Sequence, residues 1–114
     1  MLRPAITLEV LPAGYGDALL VTCALARGRW TALIDTGPDE CWPPLAARLA
    51  ALPKSRTGER RINLAVISHI DHDHIGGAAA LFSDTALRLR FGDVWFNAPR
   101  RAVPRGVAEG EGLA

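Results

Sequence analysis

The chain has 114 residues, 49% of them apolar and 22% charged, which suits one modest globular domain and excludes a disordered segment. Thirteen basic residues against twelve acidic ones leave a net charge of +1, which excludes a polybasic arm or an acidic tail acting through bulk charge. No apolar run approaches the ~18 residues of a membrane span, no signal-peptide core follows Met1, and two cysteines, Cys23 and Cys41, cannot build a disulfide scaffold. The expectation is a cytoplasmic protein without a membrane segment.

Residues 5–11 alternate, with Ile6, Leu8 and Val10 on one face, as a half-buried strand does. Gly14 to Asp17 breaks the strand, and residues 18–24 read as its hairpin partner. Trp30 to Ile34 is a third short strand, running into the turn Asp35-Thr36-Gly37-Pro38. At residue 42 the period changes. Trp42, Leu45, Leu49 and Leu52 recur at helical spacing with Arg48 facing out, Pro43 and Pro44 suit the first turn, and Pro53 ends the helix. The polar connector 54–61 leads to Ile62–Ile67, apolar enough for a strand covered on both faces. A helix is expected over Gly76–Phe82 and a last strand over Val94–Asn97. The fold class is α/β (α+β), a mixed sheet with helices. Residues 1–98 form the domain and 99–114 a linker or continuation.

Between the buried strand and the helix lies Ser68-His69-Ile70-Asp71-His72-Asp73-His74-Ile75-Gly76-Gly77, in which five of the six positions 69–74 can bind a divalent metal. Sites on open sheets lie beyond strand ends, on turns held by a rigid core. Strand spacing puts His69 and Asp71 on one side as the chain leaves the sheet, and the turn can swing Asp73 and His74 toward the same point. Mixed nitrogen and oxygen donors suit Zn²⁺, with Mn²⁺ or Fe as alternatives, better than Ca²⁺ or Mg²⁺. A calcium-binding EF-hand loop is excluded by register, since counting from Asp71 puts Phe82 at the twelfth position. The bland alternative, a solvated charged loop, rarely packs so many ligands against a buried strand.

Residues 68–77 closely resemble the motif of the metallo-β-lactamase superfamily, (S/T)-H-x-H-x-D-H-x-G-G, with Asp71 in place of the second histidine. That variant resembles the nuclease-like domain of DNA-uptake competence proteins of the ComEC type. Residues 11–18 are similar to the same group's V-G-Q-G-D-A hairpin, and Leu33-Ile34-Asp35-Thr36-Gly37 to its L-I-D-T-G strand end. The resemblance implies an αβ/βα sandwich, of which this chain resembles the N-terminal half. By carry-over His69 and Asp71 serve one metal, and Asp73 and His74 a second; the catalytic proton acceptor is expected to be Asp73 or a neighbouring carboxylate. His72 falls at a variable position and is not a ligand. Asp35 orients the site without touching metal, its alternative being a turn-capping aspartate.

The implied function is metal-dependent hydrolysis with two ions in the complete site, on a small-molecule or nucleic-acid substrate, the subgroup favouring a phosphodiester. The family's later ligands have no counterpart, since no histidine follows His74. Two classes therefore stay open: a metallohydrolase fragment completed by other sequence, and a non-catalytic metal-binding or interaction remnant. An uncovered sheet face predicts self-association or pairing with a complementary half. The arginines at 56, 60, 61, 88, 90, 100, 101 and 105 suit phosphate contacts or, given the near-zero net charge, a solvated surface.

Overall fold

A computed structural model describes residues 5–14, 17–68 and 72–96, with the backbone alone for 72–76. Among the described residues, five strands build one mixed sheet whose spatial order is also their order in the chain. β1 (Ala5–Val10), β2 (Leu19–Ala24) and β3 (Arg29–Ile34) form an antiparallel meander. β4 (Arg60–Ile67) and β5 (Leu89–Phe96) add on in parallel. Parallel neighbours need crossovers, supplied by α1 (Trp42–Ala50) between β3 and β4 and α2 (His72–Ser83) between β4 and β5. A 3-10 turn, Asp39–Cys41, leads into α1. The architecture is α+β with a mixed sheet, as expected.

Pro43 and Pro44 sit in the first turn of α1, where no amide hydrogen is missed. The stripe of Leu45 and Leu49, continued by Leu52, packs on Leu20, Leu33, Ile62 and Ala65 to make the core. α2 adds Leu81 to that cluster, and its Phe82 ring lies 4.9 Å from Phe91 and 6.2 Å from Phe96. Arg48, expected to face solvent, is only about a third exposed, because it reaches under β1 to Glu9. Its Nε donates to Oε2 at 2.8 Å and Nη2 to Oε1 at 2.5 Å, a bidentate pair that holds the Glu9 carboxyl below its usual range. Arg60 donates to the carbonyls of Ala50, Leu52 and Leu87, closing the C-terminal end of α1 against the start of β4.

The other face of the sheet corrects an expectation. Ile6, Leu8 and Val10 do share a face, but they are 76%, 61% and 78% exposed. Register carries that face through Val21 and Cys23 on β2 and Trp30, Ala32 and Ile34 on β3 to Leu64 and Val66 on β4. Both helices pack on the opposite side, where Glu9 meets α1. Alternation fixes which residues travel together, not which side a helix covers.

Candidate metal centre

The site is built where β3 and β4 end side by side. Ile34 pairs with Val66, and the amide of Asp35 extends the ladder by donating to the Val66 carbonyl at 2.7 Å. The chain then turns sharply, Asp35 taking a left-handed φ of +60°, which aspartate tolerates better than most residues. Its side chain is buried, at 3% exposure. One carboxylate oxygen accepts the Ser68 amide at 2.6 Å, and the other accepts the Ser68 hydroxyl. Both oxygens of this carboxylate therefore bond the residue directly before His69. Ser68 opens the motif, but sequence reasoning gave it no role; a hydroxyl directly after a buried strand was the available signal.

Two glycines bring the remaining segments in. Gly37 has φ +69° and its amide donates to the Asp17 carbonyl at 3.0 Å, which ties the β1–β2 loop to the β3 turn. Asp17 contributes that carbonyl, while the residue itself is exposed. Gly77 lies on α2 against the same turn. A β-carbon there would collide with the Gly37 carbonyl oxygen and stand 2.7 Å from Thr36 Oγ1. Three segments distant in sequence thus meet at one end of the sheet, through Asp17, through Asp35–Gly37, and through Ser68 and Gly77.

The structure places the predicted ligands unequally. His69 and Asp71 lie outside the described residues. Asp73 and His74 lie in the first turn of α2, with their side chains outside the description. The helix starts four residues earlier than the expected Gly76, so these two stand on a helix and not in a loop. An acid in the first turn faces the positive end of the helix dipole, which favours this earlier start over one at the glycine pair. Gly76 and Gly77 fall inside the helix, and Gly77 is explained by close packing. Among the described residues no group of three metal-binding side chains occurs.

Donor chemistry decides whether a divalent transition ion fits this centre. Two imidazoles and two carboxylates at 69, 71, 73 and 74 follow directly on Ser68, which a buried carboxylate fixes to the sheet. Imidazole and carboxylate donors of this mixture suit Zn²⁺ or Mn²⁺, so the residues fit the group. No helix among the described residues is long and apolar enough to cross a membrane.

Comparison with known families adds one finding. The model of the Metallo-beta-lactamase superfamily matches residues 11–110. No curated protein matches the chain, and no solved structure does. The matched span holds all three converging segments and most of the chain, so this protein belongs to the metallo-beta-lactamase superfamily, whose members are mostly hydrolases.

Proposed function

We propose that the chain carries the first part of a metal-dependent hydrolase site acting on phosphodiester bonds, with further ligands supplied from outside these 114 residues. His69 and Asp71 would hold one divalent transition ion, Asp73 and His74 a second. When bound, such ions lower the pKa of water toward neutrality and polarise the bond to be cleaved. Asp35 acts through Ser68, holding the start of the cluster at the strand end, as ligand-orienting carboxylates do. A carboxylate oxygen of Asp73 accepts the proton released by the attacking water. The aspartate at position 71 supports the ComEC-type subgroup, and with it a nucleic-acid substrate. The observation that carries the reading is the double hydrogen bond from Ser68 to buried Asp35.

A non-catalytic metal-binding role is the second reading, favoured by ligand number. Four candidate ligands give each ion about two, where a catalytic zinc site usually takes three and a water. Metal content by mass spectrometry tests the assignment. It should fall on His69→Ala and on His74→Ala and hold on His72→Ala. If His72→Ala loses the most metal, the register of ligands is wrong. Chelator-sensitive phosphodiesterase turnover, once the missing ligands are supplied, separates the enzyme from the binding module.

A further inference from the structure

The near-neutral net charge conceals a segregation of charge. Eight of the nine described basic residues lie on the β2–β3 turn, the α1–β4 connector and the starts of β3, β4 and β5; Arg48 is the exception. This is the end of the sheet opposite Asp35, about 23 Å away along β4 at the usual strand rise. Of the exposed acids among the described residues, Asp17, Asp39 and Glu40 lie at the Asp35 end and Asp93 stands midway along β5.

Within the basic end, arginines oppose each other across strands. Arg61 and Arg90 are register partners. Arg29 opens β3, the strand beside β4, and lines the same hollow as Arg61. Like charges in register are unfavourable, and little here relieves them. Glu59 meets Arg90 at 3.4 Å and also accepts from Thr57. Arg29, Lys54 and Arg61 have no carboxylate partner among the described residues. These three line a half-open hollow of about 370 Å³, together with Gly28, Leu52, Pro53, Ser55 and the engaged Glu59.

We propose that this cavity binds a small oligophosphate, held by Arg29, Lys54 and Arg61. Guanidinium forks and an ammonium around one hollow match clustered phosphate oxygens, and the volume is that of a small-molecule site. A nucleic-acid strand is disfavoured, because the described basic residues stop at this end and exposed acids stand at the other, leaving no continuous track among the described residues. The cavity is separate from the candidate metal edge, and the proposal does not rest on the hydrolase reading.

The test is a titration of the ¹⁵N-labelled full chain with inorganic tripolyphosphate at fixed ionic strength. Amide shifts should concentrate at Gly28, Arg29, Lys54 and Ser55. Arg29→Gln, Lys54→Gln and Arg61→Gln combined should weaken binding by about tenfold or more, while Arg27→Gln, outside the cavity, should not. Shifts confined to Asp35–Gly37 would assign the phosphate to the metal edge and overturn the proposal. So would equal weakening by Arg27→Gln, or a single-stranded oligonucleotide binding where tripolyphosphate does not. All four residues are exposed, and the spectra report directly whether each variant is folded.

Discussion

Asp35 combines three things seldom found in one side chain: a left-handed backbone, near-complete burial and a carboxylate whose two oxygens serve a single residue. Substitutions separate them. Asp35→Ala loses the acceptor while keeping a β-carbon at φ +60°, and should cost about 2–4 kcal/mol. Asp35→Gly loses the acceptor but not the backbone fit, so it should be milder by about 1 kcal/mol. Asp35→Asn keeps one acceptor for the Ser68 amide and should be the mildest. Urea midpoints rank the three. Equal values for Ala and Gly would show that the backbone at 35 stores no strain. The L-I-D-T-G strand end was legible in sequence. The partner of its aspartate was not, because a bond between positions 35 and 68 depends on two parallel strands ending level.

At the scale of elements, α2 is where periodicity misled. A glycine pair after a polar run resembles a helix entry, yet the helix begins at His72 and carries the glycines inside it. Local propensity cannot see that Gly77 faces the Thr36–Gly37 backbone, where there is no room for a β-carbon. On an open helix Gly→Ala stabilises by about 1 kcal/mol. Here Gly77→Ala should reverse sign and destabilise by about 1–3 kcal/mol, as overpacking does. Thermal melting decides it, and a raised melting temperature would refute the close approach. By contrast α1 was readable almost to its ends, because a leucine stripe, two N-terminal prolines and Pro53 all agree.

At the scale of the whole molecule, the described residues keep one face of the sheet under helices and lay no element over the other. Trp95, at 60% exposure, extends the bare face beyond Ile6, Leu8 and Val10. Strands about 4.8 Å apart and about six residues long give that face on the order of 500 Å², so two copies face to face would cover about 1,000 Å², the lower bound for a specific interface. The purified chain should therefore associate with a second copy as concentration rises, and Leu8→Glu with Trp95→Glu should return it to monomer. Light scattering reads both, and a monodisperse wild-type monomer would contradict the expectation. The sequence shows that Ile6, Leu8 and Val10 share a face. It says nothing of the helices lying across the sheet from them, which depends on crossovers spanning residues 35–59 and 68–88.

The order of the strands has a kinetic consequence. β1, β2 and β3 close by short local hairpins, whereas β3 and β4 pair only after a crossover between residues 34 and 60. Their ladder is brief, Ala32 to Ile34 against Leu64 to Val66, helped by the Asn63 side chain accepting the Thr31 amide at 2.9 Å. Long loop closure makes such seams late events in folding. Asp35 and Ser68 sit on opposite sides of that seam, so the ligand cluster acquires its anchor only once the seam has closed. The meander can be native while the centre does not yet exist, and an opening of the seam alone would dismantle the centre without unfolding the chain.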